Sequence, residues 1–134
     1  MGKTETIYDE ILEQIWMERE QGKATVNQLV NNIEVSISMD MINEMEKRGY
    51  FSINGDDIIL SEKGLERAKT LIRSHRLAER LFTDVLEIGD EFLESNACNF
   101  EHILSPELCT AICTLLGHPT ECPHGCPIPR GECC

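Results

Sequence analysis

The chain has no apolar run approaching the roughly 20 residues that a bilayer-spanning helix needs, which argues against a membrane span. Its N-terminal stretch, MGKTETIYDEILEQIW, is amphipathic and acidic. It has neither the basic start nor the apolar core of a secretory signal, so the expected location is the cytoplasm. Cations are scarce: 12 Lys plus Arg stand against 24 Asp plus Glu, a formal net charge of −12. Taken alone, that balance argues against a nucleic-acid partner, because neutralising phosphates needs surplus Lys and Arg. An even cysteine count is also missing. Seven cysteines would leave one thiol unpaired in a secreted chain, whereas in a reducing cytoplasm they read as ligands or packed thiols. Cys and His side chains could be drawn as a nucleophile–base pair. No oxyanion or substrate-binding element accompanies them, so an enzyme is not expected.

The composition that is present, 41% apolar and 27% charged over 134 residues, is that of a globular protein of one domain or two small ones. Helical spacing of Ile7, Ile11, Leu12, Ile15 and Trp16 predicts a helix over 5–20, ended by Gly22. A short helix is expected over 25–33 with Val26, Leu29, Val30 and Ile33 inward. Ser36 or Ser38 can cap a third helix that runs to Gly49 with Ile37, Met41, Ile42 and Met45 inward. Residues 50–53 and 57–60 are β-formers around Asn54-Gly55, a preferred tight-turn pair. Two helices, a short turn and a hairpin suggest a winged helix-turn-helix. Ser61 then opens a long helix to about residue 87, carrying Leu65, Ala68, Leu71, Ile72, Leu77, Leu81, Phe82 and Val85. A helix over 90–103 and another from Ser105-Pro106 to Gly117 complete the regular structure. The expected fold is mainly α with a small β-hairpin. A winged helix-turn-helix domain is expected over 1–64, a second helical domain over 65–117, and a Cys/Pro/Gly-rich tail over 118–134.

The chemistry concentrates in residues 75–102, HRLAERLFTDVLEIGDEFLESNACNFEH. His75 and Glu79 are four apart and share a helix face. Glu94, Cys98, Glu101 and His102 share another, at spacings of four, three and one. Turned toward each other, these faces would converge imidazole, thiolate and carboxylate groups, a mixture that suits a first-row transition metal better than calcium or magnesium. Singly, each residue has an ordinary reading: Glu79 could pair with Arg76 or Arg80, Glu101 could be a surface acid, Cys98 a small buried hydrophobe. Taken together they point to a metal. The tail adds Cys122, Cys126, Cys133 and Cys134, with His118 and His124 among them. Cys122-x-x-x-Cys126 lies within the looser zinc-type spacing, and Cys133-Cys134 could complete a four-thiolate set for zinc or an iron–sulfur cluster. The alternative is a set of redox-labile thiols in a mobile end.

The run His75-Arg76-Leu77-Ala78-Glu79-Arg80-Leu81, then Ala97-Cys98 and Glu101-His102, resembles the diphtheria toxin repressor family of iron- and manganese-responsive regulators. Pro123-His124-Gly125-Cys126-Pro127-Ile128-Pro129 is similar to that family's PxGxPIP segment. The resemblance covers essentially the whole chain, in a short form without the SH3-like domain of longer members. It implies a homodimeric, metal-activated DNA-binding repressor whose N-terminal part binds a double-stranded operator and whose C-terminal helical domain, 65–117, binds metal and dimerises. Carried over by position, it implies a primary site of Glu10, Cys98, Glu101 and His102 and a second site of His75, Glu79 and Glu94. Glu13 stands where manganese-type members place a further carboxylate, so the resemblance also allows His75 and Glu13 to join one two-metal site. Glu10 replaces the Met of iron-type or the Asp of manganese-type members, Cys98 matches the iron type, and Glu94 replaces an iron-type His.

One thiolate, one imidazole and two carboxylates favour Fe(II), Zn(II) or Co(II) over Mn(II). Iron is the leading expectation, with zinc and manganese as alternatives. Metal would lock the first helix to the dimerisation domain and space two recognition helices about one DNA turn apart, roughly 34 Å. The DNA-facing candidates are Ser36, Ser38, Met39, Asp40, Asn43 and Lys47. Charge conflicts with this role: residues 1–64 hold six Lys plus Arg against thirteen Asp plus Glu, a net charge of −7. The expectation is DNA binding weaker or more salt-sensitive than a basic repressor shows, or a requirement for a tail-bound cofactor. Two other readings stay open: sensing by a cluster or zinc in the tail, and a metal-sensing module that binds a protein in place of DNA.

Overall fold

The computed structural model describes residues 3–32, 39–101 and 104–131. The chain divides into two compact units, Met1–Lys69 and Thr70–Cys134. The first holds α1 (Lys3–Glu20), α2 (Val26–Asn32), α3 (Met39–Lys47), β1 (Phe51–Asn54), β2 (Asp57–Leu60) and the start of α4 (Glu62–Asp84). The second holds the rest of α4, α5 (Asp90–Glu101) and α6 (Pro106–Leu115).

In the first unit the α1 stripe buries Ile11, Leu12 and Ile15 with Leu29 of α2, Ile42 and Met45 of α3, Phe51 and Ile58 of the hairpin, and Ala68 of α4. This is the expected helical face meeting a sheet face. α2 starts where Thr25 caps it, its hydroxyl taking the Gln28 N–H at 3.1 Å. Val30 is exposed, contrary to the inward placement expected of it. A seven-residue helix packed along one line hides a narrow stripe, and Leu29 fills it. Ile33, Ser36, Ile37 and Ser38 lie outside the described residues.

The hairpin forms, with its turn one residue further on than Asn54-Gly55. Asn54 pairs with Asp57, so Gly55 and Asp56 are the central residues. Gly55 takes φ 67° and Asp56 has no positive φ, the pattern of a turn with Gly at the first central position. Residues 24–26 add a short third pairing on the hairpin. Ile58 N–H donates to Ala24 O at 3.0 Å and Val26 N–H to Asp56 O at 2.8 Å, around a Thr25–Asp57 bridge. α4 then begins under a Ser61 cap. Gly64 passes so close to the hairpin that a Cβ would lie 1.9 Å from Tyr50 O.

In the second unit α4 buries Leu77 with Ile112, Cys113 and Ile128, and Ala78 and Phe82 with Leu93 and Ala97 of α5. The helix stops at Asp84, short of the expected 87, and Val85 is exposed where it was expected inward. The chain leaves the helix there: Ile88 N–H donates to Phe82 O at 2.8 Å, and Glu87 takes φ 56°. Ser105 caps α6 through Leu108 N–H, with Pro106 in the first turn.

After α6 the chain is irregular but built. Ile128 N–H donates to Thr120 O at 2.9 Å and Cys122 N–H to Cys126 O at 2.8 Å. Arg76 donates to Pro127 O, and Arg80 Nε to Glu121 O at 2.8 Å, tying this turn to α4. Among the described residues no helix is long and apolar enough to cross a membrane.

Candidate metal centre

α4 and α5 bring four of the predicted ligands together around His75. Its spacing from Glu79, one helical turn, puts both on one face of α4, with Glu79 Oε1 3.3 Å from His75 Nε2. α5 supplies two more carboxylates. Glu94 lies 3.2 Å from Nε2, and Glu101 Oε2 lies 2.9 Å from Nδ1. Glu79 and Glu101 are buried, whereas the Glu94 side chain is 73% exposed and forms the open side of the cluster. The donor atoms of His75, Glu79 and Glu94 all lie within 4.8 Å of one another.

The electrostatics follow from that packing. Burial works to lower the His75 pKa, but hydrogen bonds from the ring to Glu101 and Glu94 outweigh it and push the pKa up to about 10. Burial raises the Glu79 pKa, and its hydrogen bond with His75 lowers that of Glu94. Three carboxylates around one ring thus create a strongly negative locus that holds a proton tightly and would hold a divalent cation in its place. One imidazole nitrogen and two carboxylates fit a first-row divalent ion. The Glu101 carboxylate on Nδ1 matches the way ligating histidines are held by an outer acceptor.

The resemblance groups Glu101 with Cys98 and His102, and His75 with Glu79 and Glu94; here Glu101 is also a direct partner of the His75 ring. Cys98 is half-buried on α5 and belongs to no group of three donors among the described residues. His102 lies outside those residues. Glu10 and Glu13 lie on α1, the first half-buried and the second buried. In the tail, Cys122 is buried and Cys126 exposed, while Cys133 and Cys134 lie outside the described residues. The residue that sequence reasoning passed over is His124, whose Nδ1 sits 3.0 Å from Glu79 Oε2. The available signal was its place two residues after Cys122 in a Pro/Gly turn.

On α3, Met39, Asp40, Asn43 and Lys47 are all exposed, opposite buried Ile42 and Met45.

A winged helix-turn-helix unit joined to a helical unit with a carboxylate–imidazole cluster defines the class of metal-binding winged-helix proteins. Residues 61–130 match the model of the iron dependent repressor, metal binding and dimerisation domain, and the chain belongs to that family. The iron-dependent repressor IdeR of Mycobacterium tuberculosis is 38% identical over 89 residues, covering 66% of this chain and 39% of that protein. The diphtheria toxin repressor of Corynebacterium diphtheriae is 33% identical over 86 residues, covering 63% of this chain and 38% of that protein. The chain thus spans about two fifths of the length of these curated relatives. A solved manganese-dependent transcriptional repressor, in complex with manganese, superposes with a TM-score of 0.82 at 29% identity, over 93% of this chain and 59% of that one. The metal-dependent transcriptional regulator MtsR gives a TM-score of 0.82 at 28% identity, over 92% and 59%. These relatives are repressors and regulators, not enzymes.

Proposed function

We propose that this chain is a cytoplasmic, metal-activated transcriptional repressor that binds duplex DNA as a homodimer. The observation that carries the reading is the convergence of Glu79, Glu94 and Glu101 on His75. A bound divalent ion would supply the positive charge that this locus lacks. His75 would offer Nε2 beside Glu79 and Glu94 and keep its Nδ1 proton on Glu101. Cys98 and His102 are the further donors proposed on α5 and just after it. Iron is the proposed ion, supported by the family's iron-dependent relatives and by the thiolate of Cys98. Manganese and zinc, carried by similar solved repressors, are the competitors.

The exposed face of α3, with Met39, Asp40, Asn43 and Lys47, is the proposed reading head, and Ser36 and Ser38 would donate to phosphates. Asp40 can only accept hydrogen bonds, which suits cytosine N4. The −7 charge of residues 1–64 favours a second reading, a metal-sensing module that binds a protein.

A mobility-shift assay at low salt on a random-sequence duplex pool, with and without Fe(II), separates the two. The expected result is a shift that needs Fe(II) and is lost in Glu101→Ala and His102→Ala, both still dimeric. No duplex binding by the wild-type chain under any metal would leave the protein-partner reading. A full metal response retained in both variants would count against the assigned centre.

A further inference from the structure

Glu79 is a two-sided ligand. Its Oε1 faces His75, and its Oε2 faces His124 Nδ1 at 3.0 Å. The Cys122 sulfur joins this second side: donor atoms of Glu79, Cys122 and His124 all lie within 4.8 Å of one another. We propose that these three residues hold a second divalent cation of borderline softness, Zn(II) or Fe(II), sharing the Glu79 carboxylate with the His75 centre; the proposal rests on the function proposed above only through that shared residue.

The donor set is one carboxylate oxygen, one thiolate and one imidazole. Metal–ligand bonds of about 2.0–2.3 Å in a tetrahedral shell put ligand atoms roughly 3.3–3.8 Å apart. The present spacings need only small side-chain shifts to meet that. Three protein ligands leave one position for water, and the His124 side chain, 52% exposed, gives the site its entry path. Cys122 itself is buried.

The turn is built to present these groups with no ion needed for its shape. Arg76 and Arg80 flank Glu79 on α4 and hold the carbonyls of Pro127 and Glu121. Gly125, at φ 86°, lets the chain reverse between the two cysteines. Cys126 N–H points at the Cys122 sulfur at 3.3 Å. An amide donor of that kind steadies a thiolate and is what outer-shell partners supply at metal–sulfur sites. An ordinary ion pair between Glu79 and His124 would need neither the buried sulfur nor that donor. Binding would release the Cys122 thiol proton to solvent.

The test is an anaerobic Co(II) titration of the full chain with Cys126, Cys133 and Cys134 changed to Ser. The expected result is a thiolate-to-cobalt charge-transfer band that survives Cys98→Ser. In the Cys98→Ser background, Cys122→Ser should lose that band and one equivalent of cobalt. His124→Ala, at a half-exposed position that leaves the fold intact, should weaken the same equivalent by about tenfold or more. Glu94→Gln should leave the band in place while weakening the His75 centre, so failure of that centre and failure of this one read out separately. An unchanged band and stoichiometry in both Cys122→Ser and His124→Ala, or a band abolished by Cys98→Ser, would overturn the proposal.

Discussion

His75 is the residue at which burial and charge oppose each other. The ring is largely hidden, yet Glu101 and Glu94 keep its proton on, with a pKa of about 10. Its unfolded value is near 6.5. A folded pKa above the unfolded one stabilises fully below about pH 6.5 and fades as the pH rises through about 10. Glu94 works on the other limb: its lowered pKa stabilises above its ordinary 4.5 and is lost as the pH falls. Metal-free protein should therefore lose urea resistance between pH 6.5 and 10 by an amount on the order of a few kcal/mol. His75→Gln should flatten that slope, and equal slopes in the two proteins would refute the account. The His75–Glu79 pair on α4 and the Glu94–Glu101 face on α5 were legible as helical spacings, which a sequence displays directly, whereas the grouping of Glu94 with His75 and Glu79 came from the family resemblance. His124 was not legible, because it reaches Glu79 from 45 positions further along the chain through a turn whose path has no period to read.

At the scale of the element, α4 and the hairpin show what patterning conveys and what it leaves out. The helices were legible from apolar spacing, caps and Pro106, since those signals are local. Three details were not. Val30 and Val85 are apolar residues on faces with nothing to cover them. The hairpin turn is centred on Gly55-Asp56 because Asp56 serves the start of α2: its carbonyl takes Val26 N–H at 2.8 Å and its carboxylate Asn27 N–H at 3.2 Å. A long-range pairing chose the register over the local preference for Asn-Gly. Gly64 carries the sharpest prediction here. A Cβ 1.9 Å from Tyr50 O cannot be absorbed by a side-chain shift, because the obstacle is backbone. Gly64→Ala should cost about 1–3 kcal/mol despite the better helix former, lowering the melting temperature by several degrees. A gain in stability on calorimetry would mean that α4 does not pass the hairpin this closely.

At the scale of the whole molecule, the question is how an acidic chain could read DNA and what would join two copies of it. In the second unit, Ile112 is buried and Leu104 and Leu116 are partly buried against its core, so these serve the monomer. Leu108 and Leu115 are 43% and 67% exposed. They stand seven residues apart, two turns of α6, and so share one face. Single exposed leucines are ordinary, but a face repeated along a helix of a domain described as one for dimerisation is a candidate contact. Leu108→Asp with Leu115→Asp should convert the proposed dimer to a monomer in sedimentation velocity, because a charge on each copy would be buried without a partner. The double variant should still bind metal, since neither residue is a donor, and should lose the Fe(II)-dependent shift. A single head, residues 1–64 with a net charge of −7, has too few cations to hold a duplex alone. Two linked units gain from the high effective concentration of the second contact. A double variant that stays dimeric would move the contact to another face. One that is monomeric yet still shifts DNA would remove the reason for pairing two acidic heads at all.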